Sequence, residues 1–146
     1  MRAVIQRVTS AILKVDGKLI SQIKQGLVVL VGISTEDTFK DANYIAEKIP
    51  KLRIFEDKNE KMNLSVLDVD GEVLLISNFT LYGETKGTNR PSFTNSAKFT
   101  DAEPIYNYLA RILAEKVPTK EGVFGGDMKI EINADGPVTI VMDSYV

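Results

Sequence analysis

The sequence has no cysteine and no histidine. Within a single chain, those two absences exclude cysteine nucleophiles, Ser-His-Asp triads and the usual zinc sites. They leave hydroxyls, carboxylates, amines, backbone groups or the substrate itself to carry any catalysis, and they give no sign of an oxidising compartment. No apolar run approaches the ~20 residues needed to span a bilayer. The opening Met1-Arg2-Ala3-Val4-Ile5-Gln6-Arg7-Val8 is too often polar for a signal peptide. A cytosolic location without membrane attachment is therefore expected. An excess of one charge is missing too, since 18 Lys and Arg face 20 Asp and Glu for a net −2. Without a basic cluster, an extended nucleic-acid footprint is disfavoured, whereas a small contact with one strand end is not. The acidic residues show no ligand-like clustering, so neither metal nor cofactor is expected.

What is present suits one domain over residues 1–146. A chain of this size buries roughly 68–70% of its unfolded surface, and a hydrophobic content of 44% supplies that core. Asp16-Gly17 stands between two alternating runs, the strongest short-range hairpin signal, because a type I′ turn needs the positive φ that glycine adopts cheaply. The unbroken run Leu27 to Ile33 reads as a strand covered on both faces, at the centre of a sheet. Phe39, Ala42, Ile45, Ala46 and Ile49 recur at helical spacing, with Asp37 placed as the cap and Pro50 as the stop. Further strands are predicted at Arg53 to Phe55 and, after Asp70-Gly71, from Glu72 to Leu81. Thr100 and Glu103 form a capping-box pattern ahead of a second helix bearing Ile105, Leu109, Ile112, Leu113 and Lys116 on one face. Met128 to Ile132 and Val138 to Met142 alternate as two strands around the turn Asn133 to Pro137. Strands outnumber helices and do not alternate with them one for one. The fold class expected is α+β, with mainly antiparallel sheets forming an open barrel-like core flanked by two helices.

Four segments can carry chemistry. Ser77-Asn78-Phe79-Thr80-Leu81 puts polar side chains into an apolar strand. It is either a strand leaving the core or a site floor whose hydroxyls and backbone N–H groups face an oxyanion. Alternation would set Ser77, Phe79 and Leu81 on one face and Asn78 and Thr80 on the other. Asp135-Gly136-Pro137-Val138-Thr139 is either plain turn punctuation or a rigid element that fixes two carbonyls towards a ligand. Gly122 to Met128 allows close backbone approach and offers Phe124 and Met128 to a pocket; it lacks the Lys-Ser/Thr of a phosphate loop. Lys86 to Phe93 places two cations and a ring on a loop that is either solvated or functional.

Together and in this order, these segments resemble the D-aminoacyl-tRNA deacylase family along essentially the whole chain. The resemblance rests on Met1 to Val8, Leu52-Arg53-Ile54-Phe55-Glu56-Asp57, Lys61-Met62-Asn63, Ser77 to Leu81, Arg90-Pro91-Ser92-Phe93, Gly122-Val123-Phe124-Gly125 and Asp135 to Thr139. It implies a cytosolic homodimer that hydrolyses the ester joining a D-amino acid, or glycine, to the 3′ end of tRNA. The site would lie at the subunit interface, with catalysis around Ser77, Asn78, Phe79 and Thr80 and the RNA's own 2′-hydroxyl assisting water. Gly136-Pro137, cis and held by Arg7, would enter the partner's pocket and reject L-substrates, while Phe124 and Met128 match pocket residues. Lys86 and Arg90 are candidate phosphate contacts. Thr80 as a nucleophile ranks second, since no base near it is evident. Two positions depart from the family pattern: Asn78 replaces the usual Gln, and Ala134 the Asn that often precedes Asp-Gly-Pro. The alternative from another class is a non-catalytic protein of this fold that binds RNA ends or small ligands; a metal-dependent hydrolase is a further one.

Overall fold

The computed structural model describes residues 1–145. A sheet of six strands forms the body of the molecule: β1 (Arg2–Val15), β2 (Lys18–Ile23), β3 (Gly26–Gly32), β6 (Glu72–Ser77), β7 (Thr119–Glu121) and β8 (Lys129–Asp143). The order is β2-β1-β3-β6-β7, with β8 laid along β1. Two short strands, β4 (Phe55–Glu56) and β5 (Met62–Leu64), pair separately. Helices α1 (Phe39–Lys48) and α2 (Phe99–Ala114) complete the α+β fold. β1 pairs antiparallel with β2, β3 and β8, whereas β3–β6 and β6–β7 run parallel. No helix is long and apolar enough to cross a membrane among the described residues.

The expected hairpin forms, with Asp16 at φ 50° and Gly17 at φ 76°. β3 is central, and its side chains serve two cores. Leu27, Val29 and Val31 join Ala3 and Ile5 of β1, Val73 and Leu75 of β6 and the buried helix faces in the larger core. Val28 joins Val8, Ala11, Leu13, Leu74 and Ile76 in the smaller one. β1 thus changes cores midway along its length, where its pairing with β8 also shifts. The smaller core is covered only in part, by Leu30, Met128, Ile130 and Ile132, and the site opens there.

Several local expectations are corrected. The cap of α1 is Thr38, which forms a capping box with Asp41. Asp37 is instead buried, accepting from the Met1 amino group at 2.5 Å, the Ser34 N–H at 2.6 Å and the Tyr145 hydroxyl at 2.5 Å. α1 stops at Lys48, and Pro50 lies in the 3₁₀ turn that follows. α2 begins one residue before Thr100, capped by the Lys98 backbone with no side-chain bond, so the Thr100–Glu103 box does not form. Its buried face is Ala102, Tyr106, Leu109, Ala110 and Leu113, and Lys116 lies beyond its end. The strand predicted from Arg53 shrinks to Phe55–Glu56, and the one predicted through Leu81 ends at Ser77.

The two predicted C-terminal strands are one. Both halves of β8 pair with the continuous β1, so the Asp-Gly-Pro segment is a bulge within a ladder rather than a hairpin turn. Between Gln6↔Thr139 and Val8↔Ala134, β1 advances by two residues and β8 by five.

Candidate active site

A cavity of about 320 Å³ lies over the uncovered part of the smaller core. Ser77, Asn78 and Phe79 form its floor, at the carboxyl end of β6. Leu30, Ile76, Ile130 and Ile132 give one apolar wall; Phe99, Gly125, Gly126 and Met128 close the other. None of these side chains is ionisable.

The floor is a turn rather than the predicted strand end. Asn78 leaves the sheet with its N–H still bonded to Val31 O at 2.8 Å, and Phe79–Tyr82 then wind into a 3₁₀ helix. The Asn78 amide oxygen accepts from the Thr80 N–H at 3.2 Å and the Thr80 hydroxyl at 2.5 Å. A short Asn side chain competing for its own backbone in this way is what breaks the alternation expected from sequence. The Thr80 N–H is therefore already engaged, and Thr80 stands beside the cavity rather than in its lining. Among the described residues, no acceptor is found for the Phe79 N–H. The turn is held from both sides. Ser96 Oγ donates to Phe79 O at 2.8 Å, and Arg2 Nη1 donates to Leu81 O at 3.1 Å while its guanidinium lies 5.0 Å from the centre of the Tyr82 ring.

Met128 enters the cavity because Gly122 lets its sulfur pass: a Cβ on Gly122 would lie 2.5 Å from Met128 Sδ. The Val123 N–H also reaches that sulfur, at 3.4 Å. Phe124 does not line the cavity. It packs behind the wall, 5.8 Å from Phe99 and 5.4 Å from Tyr106 between ring centroids. Burial pushes the Tyr106 and Tyr82 phenols well above the ordinary tyrosine value, so both stay protonated and neither supplies a base.

Gly136 and Pro137 lie elsewhere, exposed on the β8 bulge, and do not face the cavity of their own chain. Their peptide bond is cis and Gly136 has φ 131°; a Cβ there would come within 2.6 Å of Val138 N. Arg7, only 4% exposed, grips the base of the bulge. Its Nε meets Asp135 O at 3.3 Å and the Asp135 carboxylate at 3.2 Å, Nη1 donates to Ile54 O at 2.8 Å, and Nη2 lies 3.7 Å from Glu56. Lys86 and Arg90 are exposed on the loop closed by the Glu84↔Ser92 bridge.

The structure thus gathers Ser77, Asn78, Phe79 and Met128 at one cavity, with Thr80 against it. It sets Phe124 behind that cavity and separates Arg7, Gly136, Pro137, Lys86 and Arg90 from it. Sequence reasoning missed Leu30, Ile76, Phe99, Ile130 and Ile132. The period-2 spacing of Ile130 and Ile132 was a usable signal for one shared face, although nothing local distinguished that face from ordinary core.

The sequence matches the family model for D-Tyr-tRNA(Tyr) deacylase over residues 4–143. A protein of Clostridium botulinum strain Eklund 17B named D-aminoacyl-tRNA deacylase is 52% identical, across 99% of this chain and 97% of its own length. One of the same name from Caldicellulosiruptor bescii is 50% identical over the same shares. Among solved structures, the c-Myc DNA Unwinding Element Binding Protein superposes with a TM-score of 0.95 at 41% identity, covering 100% of both chains. A probable eukaryotic D-amino acid tRNA deacylase superposes at 0.81 with 16% identity, covering 97% of this chain and 98% of that one, a likeness of fold alone. On the full-length family match and relatives at half identity, this chain belongs to the D-Tyr-tRNA(Tyr) deacylase family of hydrolases.

Proposed function

We propose that the protein hydrolyses the ester between a D-amino acid and the 3′-terminal adenosine of tRNA. The observation that carries this reading is a cavity of about 320 Å³ with apolar walls, a polar floor and no ionisable side chain. Such a site cannot activate a poor electrophile, but an aminoacyl ester is already activated. It needs only a placed water, a proton acceptor and donors for the developing oxyanion. The Phe79 N–H, without an acceptor among the described residues, supplies a donor. The ribose 2′-hydroxyl beside the ester, carried in by the substrate, orients the water. The Thr80 hydroxyl donates to an amide oxygen, a weak base, which favours a positioning role over that of nucleophile.

Selection against L-substrates is assigned to the Gly136 and Pro137 carbonyls of a second copy. The bulge is exposed and does not line the cavity of its own chain, and the outer edge of β8 has no strand partner among the described residues. Both features support a homodimer in which each bulge enters the other's site. Fixed main-chain atoms reject a misplaced side chain more strongly than the ~1–3 kcal/mol that an apolar pocket extracts from one methylene. Glycine has no side chain to reject, so glycyl-tRNA is expected to be cleaved too. Lys86 and Arg90 contact phosphates of the acceptor end, and the enzyme works in the cytoplasm, where charged tRNA is used.

Incubation with matched D- and L-tyrosyl-tRNA tests the reading. Release of D-tyrosine alone is expected, with full activity after chelation. RNA binding without release of either amino acid would replace the enzyme by a binding protein of the same fold.

A further inference from the structure

Three phenylalanines stand in a row at the mouth of the cavity, each far more exposed than a core aromatic: Phe93 at 38%, Phe79 at 39% and Phe99 at 50%. Their rings meet edge to face, with centroids 5.1 Å apart for Phe79 and Phe93 and 5.7 Å apart for Phe79 and Phe99. Phe79 and Phe99 line the cavity, while Phe93 lies outside it and carries the row outward. The row is fixed at several points. The Phe93 ring packs on Gly83, where a Cβ would come within 3.0 Å of it, and Ser96 ties its segment to Phe79 O. The Ala97 N–H bonds to Ile33 O at 2.9 Å.

An exposed, contiguous aromatic surface is unusual unless something docks on it. Its surroundings indicate what. Lys86 and Arg90 lie on the loop that leads to Phe93, and Lys98 directly precedes Phe99. All three are exposed, and none is in a salt bridge among the described residues. Aromatic faces flanked by free cations are what a single strand of nucleic acid requires, because every base offers a π-face and every linkage a phosphate. The second copy proposed above enters the cavity with its bulge and does not account for Phe93, which lies outside the cavity lining; a wider protein contact over the row fits less well, since interface centres are depleted of unpaired charge.

We propose that the row Phe93–Phe79–Phe99 is a stacking track for the unpaired nucleotides preceding the terminal adenosine, with Lys86, Arg90 and Lys98 facing their phosphates. The proposal rests on the deacylase reading for the direction of the strand, and it makes Phe93 a determinant of RNA recognition outside the cavity.

The test uses the whole protein and a labelled, uncharged RNA hexanucleotide ending in cytidine-cytidine-adenosine, with free adenosine monophosphate for comparison. Phe93→Ala is expected to weaken the hexanucleotide about tenfold, the effect of one lost stack. The loss for the mononucleotide should be several times smaller, and Phe93→Trp should restore affinity. Equal losses on both ligands, no loss on the hexanucleotide, or no hexanucleotide binding by the unmodified protein would overturn the track. So would a Phe93→Ala variant with intact affinity but an altered oligomeric state, since a second copy would then occupy the row. Turnover of D-tyrosyl-tRNA by the unmodified protein is measured in parallel. Its absence would end the deacylase reading while leaving the binding comparison able to decide the track.

Discussion

β3 and β6 are parallel neighbours, and the loops leaving their carboxyl ends start side by side, with Val31 paired to Ser77. They put polar groups to opposite uses. After β3 the chain builds a charged knot, in which buried Asp37 gathers the Met1 amino group, the Ser34 N–H and the Tyr145 hydroxyl. After β6 it builds a neutral turn, where Asn78 gathers Thr80 and the cavity floor carries no charge. The two touch at Gly32, where a Cβ would lie 3.0 Å from Leu81 Cβ and 3.1 Å from Asn78 O. Formal charge serves as scaffold in this molecule, and neutral groups face the cavity.

The sharpest way to break that contrast is Asp37→Ala. Both members of the Met1–Asp37 pair are fully buried, and removing one partner of a buried pair costs about 3–5 kcal/mol. Urea denaturation should show a loss of that order, while the turnover of the fraction still folded stays close to that of the parent. A variant that kept its stability but lost activity would move the charged knot into the site. Arg7→Ala comes next. It removes charge-assisted bonds from a buried guanidinium, at about 1.5–3 kcal/mol each, although Asp135 and Glu56 are 42% and 53% exposed and recover hydration. A net loss of about 2–3 kcal/mol is expected by the same reckoning. Under the proposed function, the ratio of D- to L-tyrosyl-tRNA cleavage should fall as well. Unchanged selectivity would separate Arg7 from substrate choice.

What was legible in the sequence divides along the same line. The Asp16-Gly17 turn and the doubly covered β3 were readable, because their causes lie in adjacent residues: a positive φ, and an unbroken apolar run. The β8 bulge was not, because it exists only through pairing with β1 about 130 residues earlier. Thr38 took the cap that Asp37 appeared suited to fill, since Asp37 is drawn to an amino group 36 residues away. The turn at Phe79 was hidden by an apolar alternation that Asn78 overrides. The cavity walls Leu30, Ile130 and Ile132 look in sequence like any core residues, and only the incomplete cover of the smaller core sets them apart. Residue physics left a site floor as one of two readings of Ser77 to Leu81, and family resemblance chose between them.

A third variant probes the neutral half. Asn78→Ala frees the Thr80 N–H and hydroxyl, an end-cap loss of about 1 kcal/mol, and should lower kcat more than it changes stability, because the floor loosens while the core is untouched. Asn78→Gln lengthens the arm by one methylene and should fall between the two. If Asn78→Ala left kcat intact, the capped turn would have no part in the chemistry. Thr80→Ala, by comparison, is expected to retain turnover, and complete inactivity would restore the nucleophile.

The smallest effect concerns a surface charge that serves structure alone. The N–H groups of Lys61 and Asn59, aided by the Asn63 amide, hold the Asp57 carboxyl below its ordinary value near 3.8. A carboxyl whose pKa is lower in the folded state binds its proton more readily once unfolded, so it stabilises the fold above the unfolded value. That contribution fades as pH falls through the folded one. Melting temperature followed downward from about pH 6 should therefore drop less steeply below about pH 4 in Asp57→Asn than in the parent. The turnover profile of the same variant should overlie the parent's at neutral pH, since Asp57 does not line the cavity. Parallel melting curves at every pH would show that the turn at Asp57–Lys61 draws nothing from its charge.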